Sequence, residues 1–144
     1  MSGTREVQGA LFSHIVSATG ANLSSSLTKW PGKSFDPEAP AVTKWYRVTF
    51  IPPEQPYRAA VGEGAAVRHT GFLQIDLFYR KTDTGDGAIR TEAEAVASAF
   101  KSGTSLSYSG VYVNITSAAA GKTIEEEAWL HVPVKIWWWA DVAN

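Results

Sequence analysis

One stretch of the sequence, residues 68–100, carries two hydrophobic periods in succession, and it constrains the fold more than any other feature. Between Leu73 and Tyr79, apolar and polar side chains alternate, which predicts a strand with one face in the core. Residues 82–87 then supply types that favour turns, and beyond them apolar residues recur at helical spacing from Ile89 to Phe100. The sequence therefore predicts a strand, an acidic turn and an amphipathic helix against which the other elements pack.

Apolar periods elsewhere predict one more helix and three more strands. The helix is expected over residues 4–20, and the strands over residues 45–51, 111–116 and 129–139. The order helix, strand, strand, helix, strand, strand indicates an α+β fold with about four mostly antiparallel strands and two helices packed on one face. At this length we expect a single domain covering residues 1–144.

Residues 21–44 predict an extended arm. The segment is polar, then proline-rich, and it contains Trp30, Pro31 and Phe35. Disordered segments are poor in aromatic residues, so we expect the arm to become ordered on a neighbouring molecule. We expect the same kind of contact for the acidic turn at residues 81–87.

Composition limits the classes of function. The net charge of −1 gives no basic field that could hold nucleic acid. There is no cysteine, no signal-peptide pattern and no apolar run long enough for a membrane span. The chain has six Trp, five Tyr and six Phe, which indicates either burial between chains or a Trp-rich core, and composition alone does not decide between them.

Catalytic and metal-binding patterns are missing from the sequence. Gly121, Lys122 and Thr123 resemble the end of a phosphate-binding loop, but the glycine that should begin the loop is absent. The histidines are too far apart to indicate a metal site; we expect His14 to be a packing residue, and His69 and His131 not to be metal ligands. We therefore predict neither an enzyme nor a bound cofactor.

Several features in a fixed order resemble the tail-terminator proteins of long, non-contractile-tailed bacteriophages. The resemblance covers about residues 28–142 and rests on spacing and hydrophobicity. The features that carry it are Trp30-Pro31 and Phe35 in the arm, residues 68–75, Gly85-Asp86-Gly87 before a helix, residues 111–115, and residues 129–137.

The resemblance implies a structural virion protein that assembles as a ring of six copies at the head-proximal end of the tail tube. There it would stop addition of tube subunits and join the tail to the head. Its expected partners are other copies of itself, the tail tube protein and a head–tail connector or neck protein, and DNA would pass through the channel without sequence-specific binding. Its expected location is the head–tail junction of the virion, after assembly in the host cytoplasm, with no membrane.

Two alternatives stay open. One is another phage neck or tail-completion protein, and the other is a carbohydrate-binding module that uses outward Trp side chains as a stacking platform. For the terminator interpretation, the residues expected at subunit or partner interfaces are Trp30, Pro31, Phe35, Trp45, Asp83, Asp86, Trp129, Trp137 and Trp139. Those expected to face the channel are Glu125, Glu126 and Glu127.

Overall fold

The computed structural model describes residues 4–17, 27–38, 42–51, 57–58, 66–82 and 85–143. Within them the chain forms two helices, α1 (Thr4–Ser17) and α2 (Gly87–Ala99). It also forms eight strands, which are β1 (Thr28–Lys29), β2 (Lys44–Ile51), β3 (Tyr57–Arg58), β4 (Ala66–Arg80), β5 (Ser105–Tyr108), β6 (Val111–Ala120), β7 (Ile124–Glu125) and β8 (Trp129–Ala143).

The strands form one mixed sheet that curls into a half-barrel. The main path is β1-β2-β4-β8-β6-β5, with β3 added to β4 and β7 added to β8. β1 is parallel to β2, and every other described pairing is antiparallel. The long strands β4 and β8 pair along their whole length, from Ala66 with Ala143 to Arg80 with Trp129.

The predicted fold class, a sheet of about four mostly antiparallel strands with two packed helices, is wrong. The structure is dominated by its larger, curled, mixed sheet. Four of its strands contain only two to four residues, too few to show a hydrophobic period in the sequence. Tertiary pairing with a longer neighbour decides that such segments are strands.

The hydrophobic core lies between the helices and the inward side of the sheet. Helix α1 contributes Val7, Leu11 and Ile15, and helix α2 contributes Ile89, Ala93 and Val96. The strands contribute the inward side chains of β2, β4, β6 and β8, namely Tyr46, Val48, Leu73, Ile75, Leu77, Val113, Ile115, Leu130, Val132, Val134, Ile136, Trp138 and Ala140. The alternation from Leu73 to Leu77 therefore points its apolar side into the core, as the sequence predicted.

A carboxylate on α2 fastens that helix to two strands. The hydroxyl of Tyr46 on β2 donates to Glu92 Oε1 over 2.9 Å, and the hydroxyl of Tyr79 on β4 donates to the same oxygen over 2.6 Å. Burial, together with the Glu92 carboxylate, raises the pKa of both tyrosines well above their usual range. Both phenols therefore stay protonated and keep donating at neutral pH.

The two helices are also joined to each other near the end of α2. His14 Nε2 lies 2.7 Å from the carbonyl oxygen of Ala99, and its ring meets Phe100 edge-on with centroids 4.8 Å apart. His14 is half-buried, so its prediction as a packing residue is confirmed. Among the described residues, neither helix has the length and apolar character needed to span a bilayer.

Pro133 lies in the central strand β8, although proline is usually confined to sheet edges and bulges. Its carbonyl oxygen accepts a hydrogen bond from the Gly121 nitrogen over 2.7 Å. Gly121 follows the last residue of β6, and β7 begins only at Ile124, so the ladder on this side of β8 is interrupted. In an antiparallel strand the N and C=O of a residue face the same neighbour, so the missing N–H of Pro133 falls opposite this interruption.

Candidate interaction surface

The side of the sheet opposite the core carries the outward side chains of the four longest strands. Both helices contribute to the core cluster on the inward side, so we call the outward side the helix-free face. Its defining residues are Trp45 and Arg47 on β2, Phe72, Gln74, Asp76 and Phe78 on β4, Ser117 on β6, and His131, Lys135, Trp137 and Trp139 on β8. Three of these defining residues, Trp45, Trp137 and Trp139, were predicted at subunit or partner interfaces.

At one end of the helix-free face, aromatic rings from four separate segments pack together. Trp45 stacks on Phe78 with centroids 4.2 Å apart, Phe35 lies 5.4 Å from Trp45, and His131 lies 4.4 Å from Phe78. We call these four residues the aromatic stack. Trp129 meets Trp45 edge-on at 6.5 Å.

These contacts give three of the predicted interface residues, Phe35, Trp45 and Trp129, partners within the chain. Trp129 is only 7% exposed, and Arg80 covers its ring at 4.4 Å. Phe35 is half-buried on Trp45, so the arm is held to its own sheet at this point. The carbohydrate alternative loses the Trp129 ring from its platform, because a sugar can stack only on an accessible ring face.

The centre of the helix-free face contains a buried carboxylate that sequence reasoning did not single out. Asp76 is 1% exposed and accepts hydrogen bonds from Gln74 over 2.8 Å and from Arg47 over 3.2 Å. His131 Nε2 lies 2.7 Å from Asp76 Oδ1, and its Nδ1 lies 3.3 Å from Glu126 Oε1. The arrangement links β2, β4 and β8 through one charged group.

The electrostatics of Asp76 are those of a satisfied structural carboxylate. Burial by itself would raise the pKa of Asp76, but hydrogen bonds from His131 and Gln74 and the charge of Arg47 outweigh it. The net effect places the pKa below its ordinary value, so the group is ionised at neutral pH. A group held in this way stabilises the sheet and has no free lone pair directed at a substrate in this structure.

At the other end of the helix-free face, β4, β6 and β8 enclose a shallow groove of about 580 Å³. We call it the Trp groove, and its side chains are Arg68, Thr70, Phe72, Thr116, Ser117, Trp137 and Trp139. A β-bulge between Ile115 and Ser117 on β6 lies along one side of the groove. The groove is lined mainly by apolar atoms, and Trp137 is 39% exposed there.

Cationic side chains lie on the aromatic rings of the Trp groove. The guanidinium of Arg68 lies 4.0 Å from the centroid of Trp139 and also binds Asp141, with an Nε–Oδ1 distance of 2.7 Å. The ammonium of Lys135 lies 5.6 Å from the centroid of Phe72. Arginine beside tryptophan and phenylalanine is the composition of protein–protein contacts. Because Arg68 occupies one face of Trp139, the groove fits a protein better than a stacked sugar.

The predicted arm residues lie partly within the described structure. Residues 21–26 and 39–41 lie outside the described residues, as do Asp83 and its neighbour at position 84. Trp30 is half-buried, with its ring centroid 5.2 Å from that of Phe12 on α1, and Pro31 is exposed. Trp30 and Phe35 therefore both have aromatic partners in their own chain, and their role at an interface stays a prediction.

The acidic residues lie on β7 and in the turn that leads into β8, at the end of the sheet that carries the aromatic stack. Glu125 lies 4.0 Å from the Lys81 ammonium, Glu126 contacts His131, and Glu127 is exposed. Asp86 precedes α2 and accepts a hydrogen bond from the Thr123 hydroxyl over 2.7 Å. Whether any of these carboxylates faces a channel stays a prediction.

Metal binding has no support in the described part of the chain, where no group of three or more His, Asp or Glu side chains could hold an ion. His131 is directed at two carboxylates, and His69 lies on β4 at the far end of the sheet. That His69 and His131 are not metal ligands therefore stays a prediction.

The sequence and the fold are both similar to known proteins. The family model described as phage tail terminator protein matches residues 6–138. One solved structure, which carries no functional description, is 19% identical with a TM-score of 0.72, over 100% of this chain and 99% of that one. A chain of the "Virion of native gene transfer agent (GTA) particle" is 17% identical with a TM-score of 0.56, over 99% of this chain and 98% of that one. No curated protein matches the sequence.

Proposed function

This chain belongs to the phage tail terminator protein family, and from that membership we propose that it caps the head-proximal end of a tail tube as a ring of copies. The family is one of structural proteins, so the chain is a structural component of the phage tail. Six copies is the number that the resemblance implies. The match over residues 6–138 is the observation that carries the proposal, because it includes nearly all of both helices and most of the sheet.

The physical features of the helix-free face support a role in assembly. A cap must bury the growing end of a tube and must close on itself, which requires two different, complementary patches on each copy. The Trp groove and the acidic residues 125–127, on β7 and in the turn before β8, are two such patches at opposite ends of the sheet. Asp76 and His131 come nearest to the acid–base pair of an active site, but their side chains are hydrogen-bonded to each other.

In this proposal the ring contacts the tail tube protein on one side and a head–tail connector or neck protein on the other. The near-neutral chain supports a channel through which DNA passes without being held, because phosphate contacts would retard it. The location is the head–tail junction of the virion, after assembly in the host cytoplasm.

Deletion of this chain from an otherwise complete phage tests the proposal. We expect tail tubes of uncontrolled length that do not join heads, and recovery of both defects when the wild-type chain is supplied from a plasmid. Negative-stain images of purified protein added to the overlong tubes should show a ring at one end only. Tubes of normal length that remain unjoined would instead indicate a neck protein, and normal joined tails would refute a role at this junction.

A further inference from the structure

The Trp groove carries a cation that lacks an acidic partner among the described residues. Lys135 is exposed, and the contact that the structure gives its ammonium is with the ring of Phe72. The Arg68 guanidinium, by contrast, is already paired with Asp141. The groove therefore combines accessible aromatic surface at Trp137 with one unneutralised positive charge.

The end of β7 and the turn that leads from it into β8, at the opposite end of the helix-free face, carry surplus negative charge. We call Glu125, Glu126 and Glu127 the acidic edge. The Glu125 side chain is 78% exposed and only 4.0 Å from Lys81, and Glu126 is directed at His131. Glu127 is exposed and forms no ion pair with a described residue. At least two carboxylates of the edge are therefore open to an external cation.

These two patches cannot satisfy each other within one chain. Glu125 pairs with Leu130 on β8, five residues from Lys135, and at about 3.3 Å per strand residue this separation is roughly 17 Å along β8. That distance exceeds the screening length of about 8–10 Å at physiological ionic strength. Complementary patches at opposite ends of a subunit form a heterologous contact, which repeats from copy to copy.

We propose that the Trp groove of one copy receives the acidic edge of the next copy, with Lys135 facing the carboxylates of Glu125 and Glu127. Trp137 supplies the buried aromatic anchor, and the charge pair fixes the direction of the contact. The proposal rests on the ring-forming function proposed above and names the surfaces that close the ring. It replaces the expectation that residues 125–127 face the channel.

Charge reversal on each patch tests the contact. One variant is Lys135→Glu and the other is Glu125→Lys with Glu127→Lys, leaving Glu126 bound to His131. Each should raise the concentration for half-assembly by about tenfold or more, because like charges then meet across the contact. Assembly is measured by light scattering in solution and by counting capped ends on tubes from the deletion phage.

Restoration is the decisive result. The chain with all three substitutions should assemble again, and so should an equimolar mixture of the two variants, because they can alternate around a ring with an even number of copies. In the matched controls, the exposed charge of Glu94 on α2 or of Lys101 just beyond α2 is reversed. Both controls should assemble normally. Unchanged urea midpoints would show that every variant is folded.

Each of the following outcomes would overturn the proposal. Normal assembly of both single-patch variants would show that the patches do not meet, while tube capping by the wild type would leave the proposed function standing. Loss without restoration, or equal loss in the controls, would show that the charges serve other contacts. Variants that form normal rings but fail to cap tubes would show that the Trp groove contacts the tube protein instead of a neighbouring copy. A wild-type chain that forms no ring and caps no tube would overturn both the contact and the function.

Discussion

Replacement of Asp76 by asparagine should lower the free energy of unfolding by about 2–3 kcal/mol. Asp76 is 1% exposed and holds Arg47, Gln74 and His131. A hydrogen bond to a charged group contributes about 1.5–3 kcal/mol, and we take this range for the contribution of the contact between His131 and Asp76. The pair with Arg47 adds about 0–1 kcal/mol, because the arginine side chain is 45% exposed. Gln74 and His131 both bond Oδ1, so an asparagine oxygen at that position keeps both bonds but without the carboxylate charge, and the asparagine NH2 group then faces the Arg47 guanidinium.

Urea unfolding followed by fluorescence measures this change. With a slope of about 1–3 kcal/mol per molar urea, the midpoint should fall by roughly 1–2 M. The matched control is Asp141→Asn, which removes the pair with Arg68. The pKa of Asp141 is also lowered by its hydrogen bond to Arg68, but the side chain is 33% exposed, so we expect a change of about 1 kcal/mol or less.

The pH dependence gives a second readout for Asp76. Its pKa in the folded protein lies below the ordinary value of 3.8, so its contribution to stability is fully present above that pH. The contribution is lost as the pH falls below 3.8 through the folded pKa. The difference between wild type and Asp76→Asn should therefore shrink on acidification. A difference under about 0.5 kcal/mol at pH 7, or one that stays constant to pH 3, would refute the assignment of Asp76 as an ionised structural group.

Two further substitutions probe the packing of the sheet. Gly71→Ala places a Cβ 2.9 Å from a backbone carbonyl oxygen and 3.0 Å from the Trp138 ring, so we expect a loss of about 1–3 kcal/mol in urea unfolding. Gly87→Ala, where nothing lies within 4 Å, is the control and should be close to neutral. Tyr46→Phe removes the donor to Glu92 and should cost roughly 1–3 kcal/mol. Because the pKa of Tyr46 is raised above 10.0, wild-type stability should fall as the pH rises beyond that value, and the variant should lack this part of the alkaline loss.

The elements with long hydrophobic periods could be predicted from the sequence alone. The alternation from Leu73 to Tyr79 lies inside β4, and the helical stripe from Ile89 matches the buried side of α2. A period over seven or more positions reports which side of an element is apolar, and burial of that side is the largest favourable term in folding. The order and spacing of five features together, from Trp30 to residues 129–137, also indicated the family that the match over residues 6–138 confirms.

The number of strands and the composition of the surface were decided by tertiary structure. β1 and β7 have two residues each, and they are strands only because β2 and β8 supply pairing partners. The outward position of Asp76 could be read from the sequence, but its burial could not. That burial follows from the register that sets His131 and Arg47 beside it.

Trp129 and Trp137 show the same division between what the local sequence determines and what the tertiary structure decides. Sequence alternation placed Trp129 and Trp137 on the same outward side of one strand, and that placement holds. Trp129 is nevertheless buried under Arg80 and beside Trp45, whereas Trp137 is exposed in a groove. The sequence determines the direction of a side chain through local geometry. Whether that side chain is covered depends on segments distant in the chain, and only the folded sheet brings those segments together.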